Sequence, residues 1–199
     1  NEMAYGATLG IEKVERHGGK AWLILDRRLV REAWVEIKRG SLLPFQRDLA
    51  RLNMLFGRKQ ARTLAQLAAK IGTDAAQLET TVHDYGRAAR GESPDAFGKP
   101  KEDCSPLDTA PYVAIDIGLG ARLFPCPILT LGGLVVNEKT GAVKRADGTD
   151  IEGLYAAGRT AVGVSSNLYV SGLSIADGIF SGRRAARSLA ALTVTLRRN

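Results

Sequence analysis

The sequence predicts an α/β protein, and three observations carry that expectation. Helix-spaced apolar stripes fill the stretch from Ala21 to Ala89, a proline-rich break follows, and beyond Pro111 short apolar runs alternate with glycine turns ahead of one final helix. AWLILD, with Trp22, Leu23, Ile24 and Leu25 in unbroken succession, reads as a short buried strand. In RRLVREAWVEIKRG, Leu29, Ala33, Val35 and Ile37 fall on broadly one side of a helix that Gly40 closes. TLAQLAAKIG repeats the pattern with Leu64, Leu67, Ala68 and Ile71, ending at Gly72. Thr73 and Asp74 are N-cap candidates for AAQLETTVHDYGRAA, whose stripe is Leu78, Val82, Tyr85 and Ala89. Trp22 and Trp34 are expected in the core.

The segment GESPDAFGKPKEDCSPLDTAP holds four of the seven prolines and reads as a dividing loop. YVAIDIG then alternates Val113, Ile115 and Ile117 with smaller or polar neighbours, as a strand does. ILTLGGLVVNEKTGAVKRADGTDIEGLYAAG reads as strand, glycine bend, strand, turn, strand, with GLYAAG a short buried strand. GLSIADGIFSGRRAARSLAAL is the final helix. Its Gly178 and Gly182, four residues apart, imply close packing against another backbone.

Composition narrows the function classes. A chain of 199 residues, 45% apolar and 25% charged, suits one large or two small globular domains rather than a disordered segment. No apolar run reaches the ~20 residues that span a bilayer, and NEMAYGATLGIEK does not read as a signal peptide. The chain opens in mid-pattern without Met, which is the expectation for a segment of a longer protein. Cys104 and Cys126 are too few for a disulfide framework, so reduced cytoplasmic thiols are expected. With only His17 (in a loop before GGK) and His83 (on a helix), no metal site is expected. The net charge of +7 is spread: residues 1–127 carry 19 basic and 16 acidic residues (net +3), and residues 128–199 carry 9 and 5 (net +4). Only Arg183, Arg184, Arg187, Arg197 and Arg198 cluster, near a helix C-terminus where cations are favoured anyway, and no nucleic-acid reader motif accompanies them.

Chemistry concentrates between Gly132 and Arg184. A strand ends at Gly158, a polar loop runs from Arg159 to Ser171, and a helix starts at Gly172. The unpaired N–H groups and positive dipole end of such a helix suit an anionic or electron-rich ligand, although a tight strand–helix turn with nothing bound has the same sequence pattern.

The ordered blocks TLGGLVVNEKTGAV and DIEGLYAAGRTAVGVSSNLYVSGLSIADGIFSGRRAA resemble the C-terminal segment of flavoproteins of the succinate dehydrogenase/fumarate reductase superfamily. NEMAYG, AWLILD, KIGTDAAQLETTVHDY, the set Gly91, Asp95, Phe97, Gly98 and Lys99, and APYVAIDI are similar, in the same order, to that superfamily's capping domain. The resemblance implies FAD as cofactor. It also implies a capping, substrate-covering domain over residues 1–127, N-terminally incomplete, and over 128–199 the C-terminal strands and helix of a Rossmann-like FAD domain. No GxGxxG follows any strand, so the chain alone is expected to hold half of the FAD site and to be inactive by itself.

Within the superfamily, the fumarate reductase positions for two histidines and an arginine read Leu129, Ser165 and Tyr169 here. Without those charge-assisted bonds, at about 1.5–3 kcal/mol each, a dicarboxylate is poorly held. The run Tyr169-Val170-Ser171-Gly172-Leu173-Ser174 resembles instead the element of FAD-dependent 3-ketosteroid dehydrogenases, closest to their Δ4-(5α) type. That resemblance implies dehydrogenation beside the carbonyl of a hydrophobic ketone, with hydride passing to flavin N5. Tyr169 and the Gly172 N–H would form an oxyanion-stabilising pair and Tyr5 would be the base, the two tyrosines' roles being exchangeable. Gly133, Gly158, Arg159, Leu173, Ser174 and Ile175 would contact FAD, with Arg159 standing where relatives often carry an acid. Leu129, Ser165 and Ser171 would face substrate, although Ser171 reads first as a helix cap. Glu2 reads as structural. The expected partners are a hydrophobic ketone and an unidentified electron acceptor, without nucleic acid or a membrane span. The alternatives are a reductase of fumarate- or urocanate-like acids and a flavin-free interaction module.

Overall fold

The computed structural model describes residues 6–124, 129–164 and 166–196, and these fall into two compact units, Asn1–Pro127 and Ile128–Asn199. Helices and strands are mixed throughout, as in an α/β protein.

The first unit is built on a three-stranded antiparallel sheet: β1 (Trp22–Leu25), β2 (Arg58–Ala61) and, between them, β3 (Tyr112–Asp116). Leu23 pairs with Ile115, and Arg58 pairs with Ile115 from the other side. Alternation along β3 sends Val113 and Ile115 to one face and Tyr112 and Ala114 to the other. On the first face they meet Ile37 and Met54, with Val30, Ala33 and Trp34 packed around them. On the second, Ala114 meets Leu67 and Ala61, flanked by Trp22 and Ile71. Both tryptophans therefore pack at the core.

Among the described residues this unit also holds five α-helices: α1 (Gly6–His17), α2 (Arg27–Arg39), α3 (Pro44–Leu52), α4 (Leu64–Ile71) and α5 (Ala75–Arg90). Caps define three of them. Asp26, Thr63 and Asp74 accept from the third residue of α2, α4 and α5, and Gly40, Gly72 and Gly91 close them in the left-handed region. The buried stripe of α2 is Val30, Ala33, Trp34 and Ile37, so Val35 is exposed rather than inward as its sequence neighbourhood suggested. His17 is likewise the last residue of α1, not part of a loop.

Three polar side chains lock the connections. Asp26 is 1% exposed; one carboxylate oxygen accepts from Leu29 N–H at 2.9 Å and the other from Thr109 N–H at 3.2 Å. Asn53 opens a π-helical turn (Asn53–Gly57) after α3, and its Nδ2 donates to Leu49 O and Leu123 O. Asp95 accepts from the Phe97 and Lys99 N–H groups, folding the 95–99 loop so that the buried Lys99 Nζ reaches Tyr85 Oη at 3.1 Å. The Gly91-to-Lys99 block is thus a folding device on α5.

The second unit holds a hairpin, β4 (Ala142–Lys144) and β5 (Asp150–Tyr155), and the long helix α6 (Leu173–Leu196). Val136, Val143, Ala156 and Ala161 form its small core. The expected strands around Gly132 and Gly133 are reduced to single bridges, Leu134 with Ala161 and Val136 with Val143. β5 is largely exposed, not the buried strand that GLYAAG suggested.

Candidate functional site

The segment after β5 is shaped by its contacts with α6. Gly158, at φ +57°, begins a short 3-10 turn (Gly158–Thr160), and its N–H donates to Ser181 Oγ at 2.8 Å. Ser181 donates onward to the Asp177 carbonyl at 2.5 Å. A Cβ at Gly158 would lie 3.4 Å from Gly178 Cα, an ordinary contact, whereas a Cβ on Gly178 or on Gly182 would meet nothing within 4 Å outside its own helix, so neither glycine is demanded by the close backbone packing expected of the pair. On the other side of the turn, Leu134 N–H donates to Thr160 O at 2.8 Å and Val162 N–H to Leu134 O at 2.9 Å. A Cβ on Gly133 would stand 2.5 Å from the Thr160 oxygen. Glycine is required there by backbone packing alone.

The start of α6 is the most chemically distinctive point of this unit. Gly172 precedes it at φ +83°, with nothing within 4 Å of where a Cβ would be. Leu173 N–H donates to Val170 O, and Ile175 and Ala176 N–H share Gly172 O at 3.1 and 3.3 Å. The Ser174 N–H has no acceptor among the described residues. Its hydroxyl accepts from Arg159 Nη1 at 3.2 Å, while Arg159 Nη2 donates to Thr130 O. A guanidinium is therefore held beside the positive end of a helix, and both favour negative charge or an electron-rich edge in the same place.

Tyr169 is half-buried, and its hydroxyl has no partner among the described residues. Ser171 and Leu129 are exposed, and Gly172 rather than Ser171 flanks the helix. Ile175 is exposed, Leu173 and Ser174 half-buried. Arg159, Gly172, Leu173, Ser174 and Ile175 thus share one helix end, and Gly158 and Gly133 form the turn and segment beneath Arg159. Tyr5, Ser165, Cys126 and Glu2 lie outside the described residues.

The sequence reading missed the buried polar pair on α6, Asp177 and Ser181. Their signal was available: polar residues four apart on one helix face. Asp177 and Ser181 line a cavity of about 390 Å³ with Val136, Val162, Phe180 and Arg184. Arg184 Nη1 donates to Glu138 O, and its buried Nε has no partner among the described residues. Among the described residues no group of three His, Cys, Asp or Glu could hold a metal ion, and His83 is exposed beside Asp84.

The chain is 40% identical over 158 residues to 3-oxo-5-alpha-steroid 4-dehydrogenase of Comamonas testosteroni, covering 79% of this chain and 30% of that protein. Its structure is similar, with a TM-score of 0.67 and 30% identity, to 3-ketosteroid-delta4-(5alpha)-dehydrogenase from Rhodococcus jostii RHA1 solved with 4-androstene-3,17-dione, over 94% of this chain and 35% of that one. It is also similar to a flavocytochrome c3 fumarate reductase in its open conformation, with a TM-score of 0.57 and 26% identity, over 96% of this chain and 30% of that one. The chain thus spans about a third of the length of the relatives it matches. Residues 6–175 match the sequence profile of the FAD binding domain. The chain belongs to that family, and its cofactor is FAD.

Proposed function

We propose that the protein carrying this chain is a flavin-dependent oxidoreductase that removes two hydrogens beside the carbonyl of a hydrophobic ring ketone of the 3-ketosteroid class. One observation carries the reading: the half-buried Tyr169, whose hydroxyl has no protein partner among the described residues, stands three residues before the open Gly172 that immediately precedes α6. The steroid names borne by the similar dehydrogenases support it. In this reading residues 1–127 are the capping domain over the substrate, and residues 128–199 are the C-terminal part of the FAD domain.

The residues present fit one edge of FAD. The Ser174 N–H, without an acceptor among the described residues, the space at Gly172 and the Arg159 guanidinium supply donors and positive potential of the kind an isoalloxazine's pyrimidine edge takes. Gly133, Gly158, Leu173 and Ile175 form the backbone around them. FAD, when bound, supplies the hydride acceptor. The chain's own residues then manage the remaining charge and proton. Tyr169 Oη and the Gly172 N–H donate to the carbonyl oxygen as negative charge develops there, which acidifies the adjacent C–H. Tyr5, as its phenolate, takes that proton and becomes the neutral phenol, and the C–C bond becomes a double bond as hydride leaves the neighbouring carbon. Ser171, Leu129 and Ser165 border the substrate. Leu129, Ser165 and Tyr169 offer no cation to a dicarboxylate, which makes reduction of fumarate- or urocanate-like acids the weaker reading.

The test assays the complete FAD-loaded polypeptide with an artificial electron acceptor against 3-ketosteroids and, in the reverse direction, against fumarate with a reduced dye. Turnover of the steroids is expected. Turnover of fumarate alone overturns the proposal, and failure to bind flavin would leave the interaction-module reading.

A further inference from the structure

The side of α6 that meets the connection from β5 carries three polar side chains. Ser174, Asp177 and Ser181 stand at intervals of three and four residues, on one face of the helix. Each engages a different point of the connection. Ser174 Oγ accepts from Arg159 Nη1. The Asp177 carboxylate lies against Gly163, where a Cβ would stand 2.7 Å from Oδ2. Ser181 Oγ accepts from Gly158 N–H at 2.8 Å. Asp177 is 6% exposed and Ser181 3% exposed, so both are interior residues of this unit whatever else packs upon it.

The Ser181 hydroxyl has one proton, and it is committed: it goes to the Asp177 carbonyl one turn back, at 2.5 Å. A lone pair is thereby left for the Gly158 N–H. That amide belongs to a glycine at φ +57°, the start of the 3-10 turn Gly158–Thr160. Glycine has no side chain to hold its conformation, so the direction of the turn is set by its hydrogen bonds. Two of these bonds flank Arg159. Ser181 holds the N–H of Gly158, and Leu134 N–H holds the carbonyl of Thr160 at 2.8 Å. From between these anchors the Arg159 guanidinium reaches Ser174 Oγ and Thr130 O.

We propose, on the reading of this helix end as the FAD site, that Ser181 is a positioning residue for the flavin. By fixing Gly158 N–H it holds the Arg159 guanidinium at the start of α6, where a cation favours the reduced and more negative state of the pyrimidine edge. With its hydroxyl buried and both of its bonds made inside the unit, Ser181 acts through Arg159 and not on the cofactor. Removing the hydroxyl leaves a buried amide without its acceptor, and the turn moves to give that amide another partner, taking Arg159 away from Ser174. Reduced FAD then loses more than oxidised FAD, and the midpoint potential falls.

The experiment is a spectroelectrochemical titration of the complete FAD-loaded polypeptide, comparing the parent with Arg159→Gln, Ser181→Ala, the double variant and Ser188→Ala. Arg159→Gln is expected to weaken reduced relative to oxidised FAD about fivefold to tenfold, a fall of about 20–30 mV in the two-electron potential. Ser181→Ala weakens it about threefold to fivefold, about 15–20 mV. In the Arg159→Gln background Ser181→Ala adds nothing, because the cation that it positions is gone. Ser188, two turns further along α6, donates to Arg184 O in the same manner. Ser188→Ala therefore keeps the parent potential and separates loss of a hydroxyl-to-helix bond from loss of the Gly158 anchor. Ser181→Cys, with a weak donor and acceptor, shifts in the same direction as alanine and decides the question should Ser181→Ala fail to fold. Ser181 variants that keep the parent potential while Arg159→Gln is lowered, two falls that add in the double variant, or an equal fall in Ser188→Ala each overturn this proposal and leave the FAD site standing. A parent-like potential in Arg159→Gln removes the cation from the flavin and overturns both.

Discussion

Arg159 donates to the hydroxyl of Ser174 at 3.2 Å, tying the turn after β5 to the first turn of α6. A cation at the positive end of a helix is unfavourable by itself, by about 0.3–1 kcal/mol, and becomes favourable when an electron-rich group enters. Arg159→Gln is therefore expected to loosen FAD by about 2–10-fold, the equivalent of about 0.5–1.5 kcal/mol for one hydrogen bond and the field. Arg159→Lys, which keeps charge without the two-pronged geometry, falls between. Equilibrium flavin release, followed by fluorescence, measures this. Equal retention in all three proteins would assign Arg159 to bracing alone.

Tyr169→Phe removes only the hydroxyl from a half-buried ring. In the complete enzyme its expected effect is a fall in kcat of about 10²-fold or more, with the oxidised flavin spectrum unchanged. A pH–rate profile recorded alongside separates loss of a proton-handling group from loss of packing. Parent-like turnover takes Tyr169 out of the reaction.

Gly133 and Gly182 make opposite predictions. Alanine at 133 drives a methyl into the Thr160 carbonyl at 2.5 Å and costs about 1–3 kcal/mol of stability. Alanine at 182 meets nothing within 4 Å and raises helix propensity, so it is neutral or stabilising by up to about 1 kcal/mol. Urea unfolding with an unchanged slope reads both.

Asp26 joins the start of α2 to Thr109 through a carboxylate that is almost wholly buried. Asp26→Ala removes the cap and leaves two N–H groups without acceptors, an expected loss of about 2–4 kcal/mol. Asp26→Asn keeps one acceptor and is expected to lose less. Thermal unfolding of the two variants ranks them, and equal losses would contradict the two-acceptor account.

Asp147 is held below its ordinary pKa of 3.8 by the Thr149 hydroxyl and then by the Thr149 N–H, both donating to one of its oxygens. A lowered folded value means the contribution is fully present above pH 3.8 and disappears as pH falls through the folded value. Thr149→Val removes the stronger donor, so the titration midpoint rises toward the ordinary value. Carboxyl-carbon NMR measures it, and an unmoved midpoint would locate the cause elsewhere.

Much of the fold was legible because its elements are bounded by residues with one physical use. Gly40, Gly72 and Gly91 close helices in the left-handed region, and Asp74 opens one with a side-chain acceptor. β2 was not legible. Arg58, Lys59 and Gln60 have no apolar alternation, and the segment is a strand because β3 offers an unpaired edge. Val35 was misassigned because continuous apolar density on α2 hid the narrower stripe at 30, 33, 34 and 37. At the candidate site, the helix start at Gly172 and the turn at Gly158 could be read from glycine placement. Two features could not. The bond from Arg159 to Ser174 joins residues fifteen apart, and no local pattern reports such a pairing. At Gly133 the demand comes from the Thr160 backbone, so a ligand reading and a packing reading look identical in sequence.

The central position of β3 has a consequence for synthesis. The two outer strands of that sheet, at residues 22–25 and 58–61, bond to β3 and not to one another, yet β3 is the last of the three to be made. A nascent chain halted before Tyr112 holds two edges without a shared partner, together with helices whose inner faces have no platform. Consolidation of this unit therefore awaits the emergence of residues 112–116 from the ribosome, and pulse proteolysis of arrested chains should show protection arising abruptly at that length.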